Sequence, residues 1–295
     1  MHAFDSPTPG TGKTKLTAAI SAIATGARAS VMSVGPHSEE TNKRLDAAIL
    51  AGTQVLVLDN IEAPLGGDKL CSLLSEPRIT VRPLGGSTVL NLPTNTTVLA
   101  TGNNMRLKGD VIRRALVARL DSGVERPEQR EFDQDVVAEA LARRSELVAA
   151  ALAIIKGYHC AGSPPVVKPL GSFEEWNRVV RAPLVWAEGG DPVTTMDRLR
   201  EDDPVLSDLR TLHTSWCEEL GSDWVTVGDA IATAETNSGA LWEAFKGVAD
   251  NRIGVDRRRL GHYLRRNVDR LVDGSKIQSG DKRRGAVLWR VTGPR

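Results

Sequence analysis

An α/β core built on a parallel sheet, followed by a helical middle segment and a basic C-terminal module, is the fold this sequence predicts. Three observations predict it. The first is the run Pro9-Gly10-Thr11-Gly12-Lys13-Thr14-Lys15, a glycine-rich turn that opens an amphipathic helix. The second is the alternation of apolar strands with helices over roughly the first 120 residues, which is the pattern of a parallel sheet. The third is charge. From Arg252 to Arg295 there are thirteen Lys and Arg against four Asp and Glu, a net of +9, which leaves −8 for the remainder of a chain whose total is +1.

At 295 residues and 41% hydrophobic content the chain can bury more than one core. The expected division is a core over 1–125, a helical domain over 126–205 and a C-terminal domain over 206–295. Cys71, Cys160 and Cys217 are widely spaced and form no CxxC pair, so they argue for neither a disulfide framework nor a zinc site, and they fit a reducing cytoplasm. No apolar run approaches the roughly 20 residues of a membrane span, and the N-terminus lacks a signal-peptide core, so no membrane partner is expected.

In chain order, His2-Ala3-Phe4-Asp5 leaves room for a stub of strand, short enough to suggest that the chain is the C-terminal piece of something longer. The helix Lys13 to Thr25 follows, then a strand over Ala29 to Val34. A helix over Ser38 to Leu50 comes next, with Ser38 as N-cap and Glu39 and Glu40 in its first turn. Gln54 to Asp59 is an apolar run ending on an acid, the mark of a buried parallel strand. Asp68 to Ser75 reads as a short helix. Ile79 to Leu90 reads as a hairpin about Gly85-Gly86, and Thr96 to Ala100 as a further buried strand. A short helix beginning near Asp110 precedes the strand Leu116 to Asp121. From Phe132 the period turns helical: a long Ala-rich helix over Gln134 to Tyr158, and an amphipathic one over Ser172 to Trp186 whose Trp176 and Trp186 are expected in the core. Helices near Ser207 to Leu220, Val227 to Thr233 and Gly239 to Ala249 lead to a basic helix, Asp256 to Arg270, and a strand-turn-strand ending at Val291. Helices followed by a basic helix and a β-wing describe a winged-helix domain.

The glycine-rich turn has the chemistry of a phosphate cradle. Gly10 and Gly12 permit backbone angles at which successive N–H groups curl around an anion. Lys13 supplies a point charge for β- and γ-phosphates, and Thr14 offers a hydroxyl to Mg²⁺ where the helix dipole begins. Pro9, Thr11 and Lys15 complete the nucleotide-binding set, with ATP and Mg²⁺ as the expected ligands. The full Walker pattern asks for glycine where Pro7 stands, and the alternative reading is an ordinary glycine turn capping a helix.

Partner motifs follow. Asp59 closes its strand where a carboxylate can hold Mg²⁺ opposite Thr14. Asn60 occupies the place where many NTPases carry the Glu that activates water, leaving Glu39, Glu40 and Glu62 as candidate bases. Asn103 and Asn104 end the next strand, where a carboxamide can donate to the γ-phosphate and orient water, or simply form a left-handed turn. Arg113 and Arg114 can neutralise charge on a neighbour's γ-phosphate, or form local salt bridges with Asp110 or Asp121.

Taken in order, PTPGTGKT, VLVLDN, the hairpin around RPLGG, VLATGNN and GDVIRRALVARLD resemble the ATPase half of primase-helicase proteins of phages and integrated elements. These are similar to superfamily 3 helicases in the AAA+ class of P-loop NTPases. ERPEQREF, SELVAAALAIIKGY and PLGSFEEWNRVVRAPLVW resemble the linker and helical segment of the same proteins. The resemblance implies a ring, usually a hexamer, that threads single-stranded or forked DNA, hydrolyses ATP between subunits and works with a primase domain or protein. On it Asn103 is the sensor and Arg113 or Arg114 the arginine finger. Arg78 and Arg82, flanking the hairpin, are candidate channel contacts, with pairing to Glu76 as the alternative. In the basic helix Arg258, His262, Arg265 and Arg266 fall at helical spacing to meet a DNA groove, with Leu260, Leu264 and Val268 facing inward. Lys282, Arg283 and Arg284 lie in the wing near phosphates. Two further uses remain open: an ATP-gated DNA-binding regulator or loader that separates no strands, and a small-molecule kinase, which would leave the basic C-terminus without a role.

Overall fold

Five parallel strands in the order β2-β3-β6-β1-β7 form the central sheet of the first unit. In this computed structural model all residues are described except 36–37, 84–87, 188, 202, 252–253 and 294–295. The chain divides into two compact units, Met1–Arg200 and Glu201–Arg295.

In the first unit β1 (His2–Ser6) runs into the glycine-rich turn and α1 (Lys13–Thr25), which stops at Gly26 in a left-handed cap (φ 77°). β2 (Ser30–Ser33) leads to α2 (Ser38–Leu50), whose first-turn Glu39 and Glu40 suit the positive end of the helix dipole and whose Leu45 and Ile49 are buried. β3 (Val55–Ile61) is buried on both faces from Val55 to Leu58, as a central parallel strand must be. After α3 (Asp68–Ser75), β4 (Arg78–Val81) and β5 (Leu90–Pro93) pair antiparallel as a hairpin outside the main sheet. Its expected Gly85-Gly86 turn lies outside the described residues. β6 (Thr97–Asn103) then returns to the sheet between β3 and β1, and a 3₁₀ turn (Gly109–Arg114) delivers β7 (Leu116–Arg119) to the edge beside β1.

Three sequence expectations are corrected in the helical segment. The Ala-rich helix is two helices, α4 (Val136–Ala142) and α5 (Arg144–Cys160). They break at Arg143, whose φ of −99° and ψ of 15° leave helical space while its guanidinium is shared between Glu139 and Glu146. The amphipathic helix changes pitch: α6 (Glu174–Trp176) passes through a π turn (Asn177–Arg181) into α7 (Ala182–Trp186). Pro183 has no N–H to donate and its ring crowds the preceding turn, which a wider turn relieves. The buried Arg181 locks that turn, donating to both carboxylate oxygens of Asp191 (2.8 and 2.7 Å), to Asn177 Oδ1 and to the Lys168 carbonyl. Trp176 is only half-buried, and Trp186 is exposed, its ring edge-on to Tyr158 and lying over Gly157, so neither forms the core. α8 (Thr195–Glu201) ends the segment.

The second unit has its own core, around Trp216, Phe245, Leu241, Leu260, Leu264, Ile277 and Trp289. α9 (Pro204–Leu220) is capped by Asp203, and α10 (Val227–Asn237) by Thr226 at the end of β8 (Val225–Thr226). α11 (Ala240–Ala249) follows, then the short pair β9 (Asp250–Asn251) and β10 (Gly254–Val255). α12 (Arg257–Arg266) carries the basic run. It begins where Asp256 accepts from the N–H groups of Arg258 and Arg259. It stops before the expected Arg270, because Asn267 turns its amide back onto the Tyr263 carbonyl and Asp269 adopts a left-handed φ of 58°. β11 (Lys276–Arg283) and β12 (Ala286–Thr292) form a hairpin closed by Arg284 and Gly285, both at positive φ, and β12 also pairs with β8. Positive φ at both central residues is the twist-compatible two-residue turn.

Candidate functional site

Lys13 organises the C-terminal edge of the first unit's sheet. β1 ends at Ser6, and the turn that follows places Gly10 at φ 76° and Gly12 at φ 94°, conformations that a side chain would strain. Gly10 also faces the backbone of Glu128, which a Cβ would meet at 2.9 Å. The Pro127–Gln129 turn therefore lies directly against the loop. Gly12 caps α1 without any side-chain hydrogen bond, so the first N–H groups of this helix are not taken by a side-chain cap.

The Lys13 side chain is buried, and among the described residues its ammonium donates to neutral oxygens. Nζ donates to Ser6 Oγ, to Asn103 Oδ1 at 2.8 Å and to Thr11 Oγ1 at 3.2 Å, with the Thr8 carbonyl at 3.5 Å. Burial pulls its pKa below the ordinary lysine value, against the opposing pull of the Asp5 and Asp59 carboxylates. Ser6 Oγ lies 3.2 Å from Asn103 Oδ1 and donates to the Thr8 carbonyl, which ties the strand end to the loop. A buried cation among neutral dipoles, at a helix start with no side-chain cap, is a geometry an anion would complete. Thr14 and Lys15 lie exposed on the first turn of the same helix, and Pro9 is exposed on the loop.

Asp59 comes to the same edge from β3. Thr101 donates its hydroxyl to Asp59 Oδ1 at 2.6 Å and accepts the Asn60 N–H at 3.2 Å, which fixes the carboxylate. Among the described residues no group of three or more His, Cys, Asp or Glu gathers as a metal cluster. Thr14 carries a hydroxyl and Asp59 a carboxylate, oxygen donors of the kind that a hard cation such as Mg²⁺ takes. Asn103 is therefore in contact with Lys13. Asn104 is not: at φ 48° its N–H donates to the Ser6 carbonyl and its amide reaches the Pro7 carbonyl at 3.4 Å, so it buttresses the loop from behind.

Arg113 and Arg114 lie elsewhere. Leu116 on β7 pairs with His2, so both arginines precede the N-terminal edge of the sheet, while the loop follows its C-terminal edge, roughly 15 Å away at about 3.3 Å per residue. Both pair with Asp110, whose carboxyl is held below the usual range chiefly by the Arg113 hydrogen bond. Arg114 is nearly buried and also donates to Ser75 Oγ, whereas Arg113 remains half exposed. Neither can serve the loop of its own chain. Arg82 stands exposed just past β4 and Arg78 is tied to Asn91 across the hairpin.

In the second unit Leu260 and Leu264 are buried and Val268 is half-buried, while Arg258, His262, Arg265 and Arg266 are exposed on the opposite face of α12. Lys282, Arg283 and Arg284 are exposed at the hairpin tip. The sequence reading missed Ser6, Thr101 and Glu128. The two-residue period of β6 could have found Thr101, which shares a face with Asn103. Nothing local marks Glu128.

The first unit thus belongs among α/β proteins with a five-stranded parallel sheet and a lysine-bearing loop between strand and helix. No family model and no curated protein matches the chain. Among solved structures it is similar to two of the NrS-1 C terminal region in its A form without ligand, each at 11% identity. The TM-scores are 0.44 and 0.43, and the match covers 99% of this chain and 67% and 66% of those chains, so this chain spans about two thirds of their length. No helix among the described residues is long and apolar enough to cross a membrane.

Proposed function

We propose that this chain is an ATP-hydrolysing DNA translocase of the helicase type, serving replication of a phage or integrated element. The observation that carries this reading is the buried Lys13 ammonium surrounded by neutral oxygens at a helix start free of any side-chain cap. A triphosphate would replace those weak partners with full negative charge. Lys13 and the loop N–H groups would grip β- and γ-phosphates, Thr14 and Asp59 would hold Mg²⁺, which neutralises phosphate charge when bound, and Asn103 would meet the terminal phosphate once Lys13 turns to it. Arg113, exposed on the far edge, suits a neighbouring subunit's nucleotide in a ring. The second unit, read as a winged helix, offers the exposed face of α12 and the Arg284 hairpin tip to DNA, and Arg82 lies at a hairpin suited to a central channel.

The test is ATP turnover with and without single-stranded DNA. Stimulation by DNA in the wild type, lost in Lys13→Ala, is the expected result, and a rate indifferent to DNA would overturn the translocase reading. One observation favours a second reading, an ATP-gated DNA-binding regulator or loader: Asn60, an amide, stands in the ordinary place of the water-activating acid. Strand displacement under ATP separates the two, because a loader would bind duplex DNA and separate none.

A further inference from the structure

We infer that Glu62, two residues beyond the usual position, is the carboxylate that activates the attacking water, and that Asn60 is its positioning residue. The inference rests on the ATP-hydrolysing reading above. Strand β3 carries a bulge near its end. Leu58 pairs with Ala100 and Ile61 with Gly102, so β3 spends three steps where β6 spends two. Asn60 takes up the extra residue in a left-handed conformation at φ 53°, a shape that asparagine tolerates better than most residues. Its side chain then donates from Nδ2 to Glu62 Oε1 at 2.9 Å.

Register shows where this puts Glu62. Gly102 pairs with Asp5, and Asn103 with Ser6. β3 ends at Ile61 opposite Gly102, so Glu62 leaves the strand one residue on, at the same end of the sheet where Asn103 and Ser6 accept from Lys13 Nζ. Gly102 makes the arrangement possible, because a Cβ there would meet the Ile61 carbonyl at 2.9 Å. The other acids are less suited. Glu40 is paired with Arg44 at 3.1 Å, and Asp5 is buried and accepts the Met105 N–H. Glu39 and Glu40 both lie in the first turn of the helix that follows β2, the strand on the side of β3 away from β6 and β1. In the step itself the water oxygen bonds to the γ-phosphorus as the bond from that phosphorus to the β-bridging oxygen breaks. ADP leaves with the bridging oxygen and the water proton passes to the Glu62 carboxylate, which releases it to solvent.

The experiment compares wild type, Glu62→Gln, Asn60→Gly, Glu39→Gln and Glu40→Gln in the full chain, reading DNA-stimulated turnover and, separately, calorimetric binding of Mg²⁺·ATP. Glutamine can still accept from Asn60, and glycine keeps the left-handed backbone. Glu62→Gln is expected to lose at least about 100-fold in kcat, the scale of a lost general base, with ATP affinity within about twofold of wild type. Asn60→Gly should lose less, in kcat and not in KM. Turnover by Glu62→Gln equal to wild type, or a comparable loss in Glu39→Gln or Glu40→Gln, overturns the assignment. So does a wild type that binds ATP and hydrolyses none. A wild type that binds no ATP fails the underlying reading instead.

Discussion

Lys13 and His213 show the same desolvation at two sites with different consequences. At Lys13 the ammonium donates to Ser6, Thr11 and Asn103, and burial lowers its pKa against the opposing pull of the Asp5 and Asp59 carboxylates. At His213, buried in the second unit and paired through Nδ1 with Ser275 at 2.7 Å, desolvation favours the neutral ring and pulls the pKa to about 4. The unfolded chain binds that proton near pH 6.5, so between pH 6.5 and 4 it holds more protons than the folded state. Stability is therefore full above pH 6.5 and falls as the pH drops towards 4, by roughly 3 kcal/mol at most. His2, lowered to about 4 in the first unit, acts in the same direction. His213→Gln is expected to flatten the fall of melting temperature between pH 6.5 and 4. An unchanged slope would contradict the assignment to this ring. Neither value is legible in the sequence, where a histidine in an amphipathic helix looks ordinary until its neighbours are known.

Elements were most legible where local signals act alone. The helices Lys13–Thr25, Ser38–Leu50 and Asp68–Ser75 begin and end where glycine, first-turn acids and apolar spacing place them. The departures come from contacts distant in sequence or from shapes that no period encodes: the break at Arg143, the π turn ahead of Pro183, and the bulge at Asn60. That bulge supports a sharp expectation. Gly102→Ala drives a methyl against the Ile61 carbonyl, so β3 must shift where it carries Glu62. The expected result is a drop of several degrees in melting temperature, together with a larger loss in turnover than in ATP affinity; a variant with wild-type stability and rate would contradict the packing. In the second unit, Gly285 at φ 83° closes the hairpin, and Gly285→Ala should cost about 1 kcal/mol, read as a lower denaturation midpoint.

At the scale of the whole molecule, the two units divide the chemistry by charge. The sheet edge around Lys13 suits a phosphate chain, and the +9 concentrated after Arg252 suits a nucleic-acid backbone. Arg265→Ala, which removes an exposed charge from α12, is expected to weaken DNA binding and to lower the slope of log affinity against log salt by about 1; an unchanged slope would remove this arginine from the interface. The sequence placed the basic residues on one helix by spacing alone, and their exposure opposite Leu260 and Leu264 follows from that period. It could not place Arg113 and Arg114, because only the parallel pairing of β7 with β1 sets them at the edge opposite the loop. Everything proposed for the molecule depends on that loop receiving a triphosphate, and calorimetric titration of Mg²⁺·ATP into the full chain tests this most directly. Saturable binding by the wild type that disappears in Lys13→Ala is the result expected; a wild type that takes up no nucleotide at millimolar concentration would contradict it.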